Sequence, residues 1–301
     1  MPIIFHQPIN RRSFLKVSTL GAASIVSGCK HTENRSSSSP TNEFRIALLS
    51  DTHIPADRVN GHRGFNPWEN LKKIVPSVIS THPEAVILNG DAARLVGLPE
   101  DYRELAALIK PIARTSPIYI GLGNHDHREN FHQAFSKELG KRANLTDKHV
   151  LIVEHPVVRV IVLDSLDIVN KSPGLLGEPQ LKWLAGYLGQ NSDRPVVVFV
   201  HHTLGVGGGN LIDAAQLFSV LSSCRHVKAI FYGHSHVWEN TVRQGLHLIN
   251  LPAVGYNFKD TQPIGWVSAQ FHSSGVNLTL HAIGGNTVLD GSKHELTWNA
   301  A

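Results

Sequence analysis

The chain has 301 residues, 42% of them hydrophobic and 17% charged, with a formal charge of +4 at neutral pH. It has enough apolar residues to fill one large core, and it contains no internal repeat. The two cysteines, Cys29 and Cys224, cannot form a disulfide framework.

Residues 1–28 read as an export signal rather than as part of the fold. Asn10-Arg11-Arg12-Ser13-Phe14-Leu15-Lys16 resembles a twin-arginine motif. The apolar stretch from Val17 to Val26 follows, too short to span a bilayer as a mature helix. Val26-Ser27-Gly28-Cys29 then resembles a lipobox, which makes Cys29 the lipidation site of an exported, membrane-anchored lipoprotein facing the periplasm or the cell exterior. Cys224 would then have no partner and reads as a packing thiol. The signal carries Arg11, Arg12 and Lys16 and no acid, so its removal takes the formal charge from +4 to +1. The basic balance is partly a targeting feature, and nothing argues for a nucleic-acid-binding face. Residues 29–42, with Ser36-Ser37-Ser38-Ser39-Pro40, read as a flexible tether, and residues 43–301 as a single domain.

From Glu43 onward, apolar runs alternate with helix-like segments. Five of the runs end in residues that bind metals. Phe44 to Leu49 leads to Asp51 and His53. Ala85 to Leu88 leads to Asn89-Gly90-Asp91. Pro117 to Ile120 leads to Gly123-Asn124-His125-Asp126. Val196 to Val200 leads to His201-His202, and Ala229 to Tyr232 leads to Gly233-His234-Ser235-His236. In open α/β sheets, ligands bind outside the carboxyl ends of the strands. Five such ends side by side would gather carboxylates, imidazoles and one amide at a site rich enough for two ions. Helices are expected over Trp68 to Ser80, Pro99 to Ile109, Arg128 to Leu139, Glu178 to Gly189 and Asp213 to Ser222. Gly207-Gly208-Gly209 reads as a mobile loop. Leu246 to Asn250, Gly265 to Phe271 and Val276 to His281 alternate in the manner of antiparallel strands.

Taken in order, Asp-x-His, Gly-Asp, Gly-Asn-His-Asp, His and Gly-His-x-His resemble the calcineurin-like metallophosphoesterase superfamily. The resemblance implies an α/β fold, a two-sheet β-sandwich flanked by helices in four α/β/β/α layers. It implies two divalent transition-metal ions, with Mn, Fe or Zn all compatible with this mixture of donors. Asp51, His53, Asp91 and His236 would hold one ion, and Asp91, Asn124, His201 and His234 the other. His125 would give a proton to the leaving oxygen or stabilise developing charge, and Asp126 would orient it or cap a turn. Arg128 and Phe131, Leu163-Asp164-Ser165, Gly174-Leu175-Leu176 and Gln180 to Leu184 narrow the likeness to the bacterial cyclic-nucleotide phosphodiesterase branch, and Asn250-Leu251-Pro252-Ala253 extends it.

Two positions depart from that branch. His201-His202-Thr203-Leu204 replaces His-His-Pro-Pro, leaving His202 as a candidate substrate contact. Arg94 stands where an acid or amide is usual; it either grips a phosphate or points to solvent. Trp183 and Trp266 read as core. The expected function is metal-dependent hydrolysis of a small phosphate ester, a diester by the branch resemblance. A phosphomonoesterase and a non-catalytic metal-binding member of the fold are the alternatives. An exported enzyme would not reach intracellular cyclic AMP, so the branch alone does not name the substrate.

Overall fold

The computed structural model describes residues 42–135, 141–205 and 209–298. The signal, nearly all of the tether with Cys29, the end of the helix expected to reach Leu139, and Gly207 and Gly208 lie outside the described residues. No helix among the described residues is long and apolar enough to cross a membrane.

The first half alternates strand and helix: β1 (Glu43–Leu49), α1 (Pro67–Ser80), β2 (Ala85–Asn89), α2 (Pro99–Ala113), β3 (Ile118–Gly121) and α3 (Arg128–Ala134). Next come β4 (Lys141–Arg142), β5 (Leu151–Glu154), β6 (Arg159–Val162), α4 (Glu178–Gln190), β7 (Val196–Phe199), α5 (Ala214–Ser222) and β8 (Val227–Tyr232). The last third is strand: β9 (Glu239–Arg243), β10 (Leu246–Asn250), β11 (Pro263–His272), β12 (Gly275–Gly285) and β13 (Lys293–Thr297). One sheet runs β13-β12-β11-β1-β2-β3 and the other β4-β5-β6-β7-β8-β10-β9.

Period-two side-chain alternation builds the layers. Ile46 and Leu48 of β1 enter one apolar cluster with Val197 and Phe199 of β7, and this cluster fills the space between the sheets. The rings of Phe199 and Phe231 stack there at 4.6 Å. The alternate residues Ala47 and Leu49 pack with α1 and α2. Val196 and Val198 pack with α4 and α5. The result is the expected α/β/β/α order. Trp266 is fully buried beside the first helical layer, and Trp183 lies half-buried against the second; both are packing residues.

Helix starts follow local chemistry. Asn66 caps α1 by accepting a hydrogen bond from the Glu69 N–H, and Pro67 occupies the first turn. Leu71, Ile74, Val75 and Val78 form its buried stripe. The Glu178-Pro179 start of α4 is where the sequence indicates.

One strand departs from expectation. β10 is antiparallel to β9 but parallel to β8. It is an interior strand of the second sheet, and local alternation cannot reveal which neighbour it joins. β11 and β12 are antiparallel as expected. β1, β2 and β3 run parallel, as do β6, β7, β8 and β10. The five motifs therefore all follow carboxyl ends of strands.

Candidate metal centre

Beyond β1 the chain continues to pair with the segment after β2: the Asp51 N–H donates to the Gly90 carbonyl at 3.1 Å and the His53 N–H to that of Asp91 at 2.9 Å. Here the backbone leaves the strand conformation. Asp51, His53, Asp91, His234 and His236 all have positive φ, between 47° and 68°. A left-handed residue other than glycine costs on the order of 1–2 kcal/mol, and such strain collects where surrounding structure enforces it for function. Asp51 and His53 thus reach one side through alternate left-handed residues, not through a continuing strand. The motif glycines permit close approach. A Cβ at Gly123 would lie 2.2 Å from Asp91 Oδ1, and one at Gly233 would lie 2.3 Å from Ser50 Oγ.

Potential donors converge in three overlapping groups: Asp51, His53 and His236; Asp91, His201 and His234; and His53, Asp91 and His125. His53 Nε2 is 3.2 Å from His236 Nε2. His236 Nε2 is 3.3 Å from Asp51 Oδ1, and His201 Nε2 is 3.3 Å from Asp91 Oδ2. Asp91 Oδ2 also lies 3.7 Å from His53 Nε2, so this carboxylate touches both sets. Backbone carbonyls hold the outer ring nitrogens: Asn89 O lies 2.8 Å from His201 Nδ1 and Tyr256 O lies 2.5 Å from His236 Nδ1. A proton on each Nδ1 leaves the Nε2 lone pair facing the centre.

Several buried donors have no hydrogen-bond partner among the described residues, including Asn124 Oδ1 and His201 Nε2. Buried polar atoms are rarely left unpaired, and these would be satisfied by cations. Electrostatics agrees. Burial alone would raise the Asp51 and Asp91 carboxyls, but the imidazole of His201, with His236 at Asp51, holds both below the carboxylate range. Burial disfavours the His201 imidazolium, yet Asp91 and Asp51 outweigh it and raise its pKa to about 10. The cluster thus recruits positive charge. Burial lowers His53 to about 3 and, with His201, His234 to about 4, so both rings are neutral donors at pH 7. The residues present fit metal ions.

The sequence profile of the calcineurin-like phosphoesterases matches residues 44–238. The chain belongs to this family. A protein described as a probable cyclic nucleotide phosphodiesterase from Ruthia magnifica is 26% identical over 75% of this chain and 93% of its own length. The 3',5'-cyclic adenosine monophosphate phosphodiesterase CpdA of Haemophilus influenzae is 27% identical over 77% of this chain and 87% of its own. A probable glycerophosphodiester phosphodiesterase of Arcobacter nitrofigilis is 29% identical over 64% of this chain and 71% of its own. A solved dimetal phosphatase from Danio rerio shares the fold, with a TM-score of 0.69 at 14% identity, over 85% of this chain and 99% of that one. The chain is a metal-dependent phosphoester hydrolase, and its sequence sides with the cyclic-nucleotide phosphodiesterase branch.

All seven residues expected as ligands lie buried or nearly so in this phosphoesterase, six of them within the three donor groups. His125 comes closer to them than expected, with its Nε2 3.9 Å from Asp91 Oδ2. Its Nδ1 is held by the Leu95 carbonyl at 2.9 Å. Asp126 does not orient it. The Asp126 carboxylate instead accepts from the backbone N–H groups of Gly123, Ala92 and Ala93 and from the Tyr102 hydroxyl, so it clamps the β2 and β3 loops together. Burial raises this carboxyl to about 6.

His202, expected to touch substrate, is fully buried. Its Nδ1 pairs with Ser165 Oγ at 2.8 Å and its ring lies 4.9 Å from that of His234. It braces the second donor group instead. Arg94 is half-buried, its guanidinium 5.8 Å from the centre of the Tyr256 ring. That ring in turn lies 4.7 Å from both His53 and His236.

Tyr256, Phe258 and Leu95 were not legible as site residues. Phe258 stacks on His236 at 4.4 Å. Leu95 acts through its carbonyl, and Tyr256 through both carbonyl and ring. A backbone carbonyl leaves no trace in residue type; only the aromatic pair so near the Asn250-Leu251-Pro252-Ala253 motif could have drawn notice.

Proposed function

We propose that this metallophosphoesterase is an exported, lipid-anchored phosphodiesterase that works through two metal ions. The observation that carries the two-metal reading is Asp91, whose carboxylate borders both the His53 and the His201 donor groups. Asp51, His53, Asp91 and His236 would hold one ion, and Asp91, Asn124, His201 and His234 the other. Bound there, divalent ions neutralise phosphate oxygens and supply hydroxide near neutral pH.

The chain's own residues do the rest. Leu95 O accepts the Nδ1 proton of His125 and turns Nε2 toward the donors. From Nε2, protonated His125 gives its proton to the departing oxygen. Arg94, aligned by the Tyr256 ring, grips a non-bridging phosphate oxygen. The diester preference is supported by the named activities of the relatives from Ruthia, Haemophilus and Arcobacter.

Export is supported by Arg11-Arg12 and by Cys29 at the end of the apolar run. The domain begins with β1 at Glu43, whereas the donors follow the opposite, carboxyl ends of the strands. A tether leaving there keeps the site mouth free.

The deciding experiment loads the mature protein with Mn, Fe or Zn, counts bound metal, and compares bis(nitrophenyl) phosphate with nitrophenyl phosphate. Two ions per chain and faster diester hydrolysis are expected. A monoester preference overturns the substrate reading, and metal binding without turnover overturns catalysis. Cys29→Ser should abolish lipid labelling; unchanged labelling overturns the anchor.

A further inference from the structure

Seven of the nine large apolar side chains standing exposed among the described residues lie on loops that leave the carboxyl ends of strands, the ends that also carry the donors. Val59 follows β1; Leu95 and Val96 are among three that follow β2; Ile168 follows β6 and Phe258 follows β10. Exposed apolar groups scattered singly need no explanation, but a concentration on one functional face does.

These loops are tied to the site. The carbonyl of Leu95 holds His125. Phe258 covers His236 while remaining 44% exposed. The loop of Ile168 is fixed where the Asn170 N–H donates to the Asn124 carbonyl at 2.6 Å. The loop of Val96 is fixed to the same segment by Asn130, whose side-chain amide donates to the Gly97 carbonyl at 2.8 Å. The loops of Val96 and Ile168 are therefore both tied to the Asn124–Asn130 segment that presents His125.

Cations interleave with the apolar groups. The Arg63 guanidinium lies 5.5 Å from the centre of the Phe258 ring and donates to the Phe258 carbonyl at 3.1 Å. Arg94 lies over Tyr256. The mouth therefore offers positive charge close to the donors and apolar surface around them. A small, fully polar diester would use the first and leave the second in water.

We propose that the substrate is an amphiphilic phosphodiester, one that carries an acyl or similar alkyl chain lying along the Leu95, Val96 and Ile168 side of the mouth. This rests on the phosphodiesterase reading and names its substrate class. Water adds to phosphorus, the bond from phosphorus to the leaving alcohol oxygen breaks, and that oxygen takes a proton. The products are an alcohol and a phosphomonoester, the chain remaining on one of them. Each methylene removed from water contributes about a fourfold gain in binding, so two or three of them suffice for roughly tenfold discrimination.

The test uses the full, Mn-loaded protein and two diesters with one uncharged head group, glycerophosphoglycerol and its single-chain octanoyl ester, both kept below micelle-forming concentration. We expect kcat/KM for the octanoyl compound to be about tenfold higher or more. Val96→Ser combined with Ile168→Ser should bring that ratio close to one while sparing hydrolysis of bis(nitrophenyl) phosphate, which also shows that the variant folds. Equal kcat/KM for the two substrates, or a ratio the double variant does not change, overturns the amphiphile proposal and leaves the phosphodiesterase reading standing. Failure to hydrolyse any diester, bis(nitrophenyl) phosphate included, overturns both.

Discussion

His201 Nε2 stands 3.3 Å from Asp91 Oδ2, joining the end of β7 to the end of β2 across two different sheets. Both side chains are buried, and the Asp91 carboxylate also accepts the His125 N–H at 2.8 Å. Asp91 is also within 3.7 Å of His53. Asp91→Ala should therefore lose metal and activity together. Elemental analysis beside turnover checks this; a variant that keeps two ions and full turnover removes the shared-carboxylate reading.

His125 separates proton transfer from metal binding. A general acid typically contributes about 10²–10⁴-fold, and only where the leaving group needs a proton. His125→Ala should lose most activity on alkyl esters, clearly less on nitrophenyl esters, and keep its metals. Because His125 also borders Asp91 and His53, loss of metal in this variant would make it a ligand.

Asp126→Ala should act on stability, since its carboxylate gathers four donors from three segments. Leaving those donors buried and unpaired should cost about 3 kcal/mol, measured by denaturant unfolding. The ratio of alkyl to nitrophenyl ester rates should stay as in the unaltered protein. A changed ratio at unchanged stability would return Asp126 to the role of orienting His125.

Arg94→Ala should raise KM and spare metal content, with a loss of about 1–3 kcal/mol in transition-state binding, the range for a hydrogen bond to a charged group. An unchanged kcat/KM across diesters would put the guanidinium out of reach of phosphate.

Acid should weaken the fold through its buried imidazoles. Burial lowers the pKa of His155, His226 and His281 below the ordinary 6.5. An imidazole with a lowered folded pKa binds its proton more readily when unfolded, so stability declines as pH falls below 6.5. Tm of the metal-free protein should be lower at pH 5 than at pH 7, and His281→Gln should flatten that slope. A Tm that rises on acidification contradicts the burial argument.

The sequence by itself determined the strand-and-glycine pattern and the helices, because each is a local matter, and it offered the candidate donors at the strand ends. Alternation sends Ile46 one way and Ala47 the other whatever lies beyond them, whereas the left-handed backbone at Asp51 and His53 is set by the structure and has no glycine beside it in the sequence. The four-layer order and the convergence of the motifs also followed, through the resemblance those motifs carry. Tertiary structure alone decided three things. It set β10 beside β8, since pairing partners are chosen by what remains unpaired in the assembled sheet. It gave His125 to the Leu95 carbonyl and Asp126 to the loop amides, because a carboxylate buried among unpaired N–H groups is better satisfied there than by a half-exposed imidazole. And it brought loops that carry exposed apolar side chains to the same strand ends as the donors, a face that exists only once the strands have brought their ends together.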